Sequence, residues 1–170
     1  MTFGKVSRHM TTTILFIAAV SLGLMAGLFY GFAGSVMPAL RGTDDKTVID
    51  VMQRINVSIQ NPVFGLLFVG SLIATGVATF QQFSAGHPSV WIPLAIGLLL
   101  YVATLVITFG VNIPLNNRLA AAGPARGVTD PKRVRDAFFG PWVRAHHLRT
   151  LTNTGAFVAV VWALIQHGQL

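Results

Sequence analysis

Charged side chains are missing from most of this sequence, and the places where they are missing decide what the chain can become. No Asp, Lys or Arg occurs from His9 to Leu40, from Ile55 to Asn117 or from Thr150 to Leu170, and Glu is absent throughout. A helix crossing the hydrocarbon core of a bilayer needs roughly 20 apolar residues. The first and last runs therefore hold one span each, and the middle run is long enough for two. The segment QQFSAGHPSV (81–90) supplies the polar residues, Gly and Pro for the turn between them. Spans are expected near 13–36, 62–82, 90–112 and 148–167. The chain reads as an all-α membrane protein, a single four-helix transmembrane bundle over residues 1–170 with a short interfacial helix between spans 1 and 2.

Composition narrows the function classes. Only 10% of the 170 residues are charged and 53% are hydrophobic, whereas soluble domains carry about a quarter charged residues. Cysteine is absent, which removes disulfides, thiolate nucleophiles and Cys-ligated metals. The net charge of +7 sits in short loops between apolar runs, so its partner is the membrane surface and its lipids rather than nucleic acid. The first apolar run exceeds the 7–15 residues of a signal-peptide core and reads as a span.

The basic residues also orient the bundle. With four spans, both termini and the turn at 81–90 share one side, and of the 12 Lys and Arg only Lys5 and Arg8 fall there. Positive residues in short loops favour the cytoplasm. The expected topology is a multi-pass cell-membrane protein with both termini outside the cytoplasm and the loops 41–61 and 113–147 inside it.

Span 1 carries Ala19, Gly23, Gly27, Gly31 and Ser35 at four-residue spacing. Such a stripe lets a neighbouring helix approach closely, within the chain or from a second copy across the Gly23/Gly27/Gly31 face. Tyr30 and Phe32 flank it. After Pro38, RGTDDKTVIDVMQRINVSIQ reads as the interfacial helix, with Thr43 as N-cap and Val48, Met52, Ile55 and Ile59 as its apolar face. Further on, DPKRVRDAFF starts a helix at Pro131, and Pro141 is expected to bend or restart it into span 4.

Polar residues gather at one end of this arrangement. Thr108, Asn112 and Asn116 follow at four-residue spacing at the close of span 3, apart from a break at Pro114. Trp142, His146, Arg149, Thr150 and Asn153 share one face at the start of span 4, and His147 points about 100° away from His146. Asn56 and Asn61 precede span 2 on the same side. Any one of these could cap a helix or snorkel to headgroups. Converging on one end of one bundle, they describe a pocket, because polar groups at membrane depth face the interior or a wet cavity. Pro114 lacks an amide hydrogen, so the carbonyl of Gly110 is expected to take its hydrogen bond from the neighbouring amides. On the opposite side His9, His87 and His167 have no motif spacing, and no metal is expected there.

At these residues the sequence resembles a known family. GLFYGFAGSVMPALR, INVSIQNPVF, VNIPLNNRLA and WVRAHHLRT, in this order over about residues 15–165, are similar to the landmarks of the anthrone oxygenase-like family of small four-helix membrane proteins. VNIPLNNRLA is the most specific block. Position by position the resemblance marks Asn56, Asn61, Pro62, Asn112, Pro114, Asn116, Arg118, Trp142, His146 and Arg149. Ala145 departs from it, since an aromatic often stands before the histidine, and a roomier pocket is expected.

The resemblance implies oxidation of an anthrone to an anthraquinone by molecular oxygen as co-substrate, with no cofactor. Such chemistry asks for a base, an oxyanion site and an apolar slot for flat rings. His146 can serve as the base, and Arg118 or Arg149 with Asn112 and Asn116 as the oxyanion site. Tyr30, Phe32 and Trp142 can line the slot for a small apolar aromatic substrate, with Asn56 and Asn61 beside it. Two other classes stay open on the residues alone. One is a small transporter, lipid-binding or partner-binding protein, although all five Asp lie in expected loops. The other is a haem or metal redox protein, although His146 and His147 diverge.

Overall fold

The computed structural model describes residues 3–170, with side chains from His9 onward. Four helices are long and apolar enough to cross a membrane, spanning His9–Arg41, Pro62–Ser84, Pro88–Ala121 and Pro131–Gly168. The protein is an all-α, multi-pass membrane bundle.

Chain order is α1 (Phe3–Gly31), a π-helical turn (Phe32–Val36), α2 (Met37–Arg41), α3 (Asp45–Ser58) and α4 (Pro62–Ser84). There follow α5 (Pro88–Ile107), a second π-helical turn (Thr108–Asn112), α6 (Ile113–Ala121), a 3₁₀ turn (Ala125–Gly127) and α7 (Pro131–Gly168). α1 and α5 each pack against both α4 and α7, so α4 and α7 face each other across the bundle axis. α5 and α7 make the closest pair. A Cβ on Gly97 would lie 3.1 Å from Val160 Cγ2 and 3.2 Å from Ala156 O, and one on Gly155 would lie 3.1 Å from Leu100 Cδ1. Small residues here bring the two backbones together.

The two π turns are built alike. Met37 N–H bonds to Phe32 O and Ile113 N–H to Thr108 O, one residue wider than an α turn. One residue beyond each turn's last member, Val36 or Asn112, and after Met37 or Ile113, comes a proline, Pro38 or Pro114, and in each case the residue four before the proline is a glycine, Gly34 or Gly110. A proline ring clashes with the carbonyl four residues earlier in an α-helix. Widening the turn moves that carbonyl aside and lets the helix go on. Span 3 therefore does not end at its amides, as the sequence suggested, but continues as α6 to Ala121. Likewise Pro141 neither ends nor restarts the last helix: α7 runs unbroken for 38 residues.

The interfacial helix forms as α3, with one correction. Its N-cap is Asp44, which accepts from Thr47 N at 3.0 Å, and not Thr43, whose hydroxyl instead donates to Leu40 O at 2.8 Å and closes α2. The Thr47 hydroxyl, with the Thr47 amide, holds the Asp44 carboxyl below its ordinary pKa. α3 buries Val48, Ile49 and Met52 against Leu115, Leu119, Phe138 and Trp142. Gln53 Nε2 donates to Leu119 O and Gly123 O, both at 2.9 Å, and Arg135 pairs with Asp45 at 2.9 Å. α3 is thereby fixed as a roof over one end of the bundle.

The small-residue stripe of α1 divides in two. A Cβ on Gly23 would lie 3.0 Å from Phe157 Cε2, whereas Gly27 and Gly31 face open space.

Candidate functional site at the roofed end of the bundle

Under α3 lies a cavity of about 310 Å³. Its walls come from α1 and the first π turn (Leu28, Phe29, Phe32), α3 (Ile55, Asn56), the start of α4 (Phe64, Phe68), the second π turn with α6 (Thr108, Phe109, Asn112, Ile113, Asn116, Asn117) and α7 (Trp142, His146, Arg149), with Ile59 and Gln60 at the rim. Both π turns border it.

The polar wall is organised around Arg149. Its guanidinium lies between two rings, 4.6 Å from the Phe29 centroid and 5.2 Å from that of Trp142. Arg149 Nε donates to His146 Nδ1 at 3.0 Å, and Nη1 donates to Thr108 Oγ1 at 3.4 Å. The residue is 9% exposed, and none of the ion pairs among the described residues includes it. A buried cation without a counter-ion is costly to keep.

The hydrogen bonds fix the state of His146. Nε2 lies 3.0 Å from Phe29 O, and a carbonyl oxygen can only accept, so Nε2 carries the hydrogen. Nδ1 is then the acceptor for Arg149. The ring is neutral and both nitrogens are engaged. It stacks on Trp142 with centroids 4.8 Å apart at 15°, and Phe29 and Phe32 meet it edge-on.

The amides are placed differently from the expectation. Asn112 Nδ2 donates to Trp142 O at 3.2 Å, and Asn116 Oδ1 accepts from Trp142 Nε1 at 2.8 Å. Both bonds go to Trp142 and not to the Gly110 carbonyl, because the π turn has already rearranged the backbone around Pro114. Asn112 Oδ1 and Asn56 Nδ2, one acceptor and one donor, are buried at the cavity with no partner among the described residues.

Of the residues singled out in the sequence, Phe32, Asn56, Asn112, Asn116, Trp142, His146 and Arg149 are brought together here. Three lie elsewhere. Tyr30 is 72% exposed on the outer face of α1. Asn61 caps α4, its Oδ1 accepting from Phe64 N and its Nδ2 donating to Ser58 O, both at 3.0 Å. Arg118 borders a separate surface depression with Asp130 and Arg133. Ala145 is buried but is not among the cavity's lining residues, so its small side chain does not enlarge it. The sequence reading missed Phe29, which faces Arg149 and accepts from His146, and the aromatic group Phe64, Phe68 and Phe109. Phe29 was legible: it continues the buried series Leu15, Ala18, Leu22 and Met25 at helical spacing.

The sequence profile of the family described as Anthrone oxygenase matches residues 57–159. The chain belongs to the anthrone oxygenase family. No curated protein and no solved structure matches it. The family match takes in the wall made by the second π turn, α6 and α7, including Asn112, Asn116, Trp142, His146 and Arg149. Asn56 stands immediately before it, and Phe29 and Phe32, on the first span, lie well outside it.

On the opposite side, among the described residues, no group of three or more His, Asp or Glu is placed to hold a metal ion. His167 is buried there and its Nε2 lies 3.1 Å from Thr12 Oγ1.

Proposed function

We propose that this anthrone oxygenase family member oxidises a flat, apolar aromatic ketone of the anthrone class with molecular oxygen, using no cofactor, in the cavity under α3. The observation that carries the reading is Arg149: a buried cation with no acid of its own, set in an aromatic slot. A ligand that becomes an anion on losing a proton completes the pair.

An anthrone has an acidic methylene opposite its ketone. Loss of one proton gives an electron-rich oxyanion, which the guanidinium stabilises in a site poor in water. One electron passes from this anion to dioxygen, and the resulting radical and superoxide combine at the former methylene carbon. Protonation gives a hydroperoxide, which loses water to leave a second ketone. The sum is R₂CH₂ + O₂ → R₂C=O + H₂O, and no outside reductant is needed.

His146 is the base in this scheme, and Arg149 controls it. The Nδ1 lone pair is held by Arg149 Nε. A ligand oxygen that draws the guanidinium toward itself frees Nδ1 to take the methylene proton. Asn112 Oδ1 and Asn56 Nδ2 supply an acceptor and a donor for other oxygen substituents on the rings. The roofed end faces the cytoplasm in this reading, as the basic residues imply.

The test is anthraquinone formation from an anthrone under air by the purified protein in lipid nanodiscs, measured against spontaneous autoxidation. Oxidation above that background, lost in Arg149→Met, is expected. A rate equal to background with folded protein would overturn the reading.

A further inference from the structure

A residue that lines a cavity and is also exposed marks where the cavity opens. Three lining residues are exposed: Gln60 before α4, Phe109 in the second π turn and Asn117 on α6. All three border one seam, between the start of α4 and the span made of α5, the second π turn and α6. On the α1 side Phe29 is buried, and Leu28 and Phe32 are half-buried.

The seam is tied at depth and loose at the cavity. Deeper in the bundle α4 packs on α5, and Tyr101 Oη donates to Phe68 O at 2.7 Å. Nearer the roof, the second π turn and α6 pack on α7 and α3. Their hydrogen bonds to other elements go the same way: Asn112 and Asn116 meet Trp142, Thr108 meets Arg149, and Leu119 O accepts from Gln53. Across to α4 the contact is between rings. Phe64 stacks on Phe68 with centroids 5.3 Å apart, and Phe68 lies 6.2 Å from Phe109. Phe109 is 60% exposed, and Val63 and Leu66 on α4 and Val106 on α5 are exposed as well. A surface this apolar on a membrane bundle is covered by lipid.

We propose that the cavity is loaded sideways: a flat apolar ligand enters from the bilayer through the seam between α4 and the second π turn, with Phe109 as its movable outer leaf. An uncharged ring system concentrates in hydrocarbon rather than in water, and α3 lies over the cavity on the other approach. Ring edges and faces on both sides of the seam suit the edge-on passage of another ring. Gln60 and Asn117 form its polar upper margin. A Cβ on Gly110, next to Phe109, would meet nothing within 4 Å, so no neighbour pins the leaf from that side. The passage leads past Phe68 to Thr108, whose Oγ1 accepts from Arg149 Nη1 at 3.4 Å. This route rests on the cavity as the ligand site of the proposed function, and not on the oxidation step.

The chain has no cysteine, so one introduced thiol reports the arrival of a ring in the cavity without any oxidation. Phe32→Cys puts it on the wall from the first π turn, across the cavity from span 3. Ile55→Cys, under the roof, serves if that variant fails to fold. The protein in lipid nanodiscs is treated with N-(1-pyrenyl)maleimide, a flat apolar ring held in the bilayer, or with a sulfonated stilbene maleimide confined to water. The pyrene reagent is expected to label the thiol faster. Adding Phe109→Trp should slow it several-fold and Phe109→Ala should speed it, while Asn117→Trp, at the polar margin, leaves its rate level. Faster labelling by the sulfonated reagent, or a pyrene rate unchanged in both Phe109 variants, overturns the proposal. So does slowing by Asn117→Trp in place of Phe109→Trp, which would move the entrance to the water side. Anthrone oxidation is assayed apart from this labelling, so failure of the portal and failure of the oxygenase reading are told apart.

Discussion

The two ends of the bundle are made from the same kinds of residue and use them in opposite ways. At the end where α1 begins and α7 finishes, polar side chains pair across helices. Thr11 Oγ1 donates to Gln81 Oε1 at 3.3 Å, and Thr12 meets His167, although Gln82 Oε1 beside them is buried without a partner among the described residues. At the end roofed by α3, two π turns border the cavity, and among the described residues Arg149 has no acid and Asn112 and Asn56 each leave a group without a partner. Polar groups that satisfy one another close a bundle. Polar groups left waiting around a cavity keep a place for a ligand, and the bundle bears the cost.

The contrast is sharpest at Arg149. Arg149→Met keeps the volume and removes a buried charge that no acid balances. Loss of the oxyanion partner is expected to lower anthrone oxidation by about a hundredfold or more. Thermal stability should stay level or rise, because an uncompensated buried cation is replaced by an apolar side chain. A variant that loses activity and stability together would make Arg149 a structural tie and remove the distinction between the ends.

His146→Ala is expected to come close behind, at about a hundredfold. If Arg149 and His146 act as one device, the double variant Arg149→Met/His146→Ala should fall no further than the worse single variant. Multiplying losses would show two independent contributions and break the proposed control of Nδ1 by Arg149. Asn116→Ala should cost less, about tenfold, since it acts by releasing the Trp142 indole from its 2.8 Å bond. A full rate in Asn116→Ala would mean the stack of Trp142 on His146 is set by packing alone.

The distribution of these residues was legible in the sequence to an unequal degree. Charge-free runs fixed the number of spans, and the spacing of Trp142, His146, Arg149 and Asn153 placed them correctly on one buried face. The ends of the spans were not legible in the same way. A proline after a glycine looks like a stop, yet at Pro38 and Pro114 a single widened turn lets the helix continue. That depends on backbone geometry, which hydropathy does not carry. Tyr30 flanks the glycine stripe in the sequence and reads as part of the slot, but Gly27 and Gly31 turn outward and take Tyr30 with them. The shared Nδ1 of His146 was invisible for a further reason: residues three apart on a helix can touch, but only the burial of both makes the contact exclusive.

The smallest effects are expected at the closed end, and they complete the comparison. His9→Ala and His87→Ala should leave both activity and melting temperature unchanged, since both side chains sit outside the buried set. His167→Ala differs from them. The sequence put all three histidines in one class, but His167 is 5% exposed and its ring meets the Thr12 hydroxyl. Its loss should destabilise the protein by about 1 kcal/mol, the typical worth of one such bond, with the rate per folded molecule unchanged. Differential scanning fluorimetry beside the oxidation assay separates the two quantities. A loss of rate in His167→Ala at full stability would tie the closed end to the chemistry, and the two ends would no longer be independent.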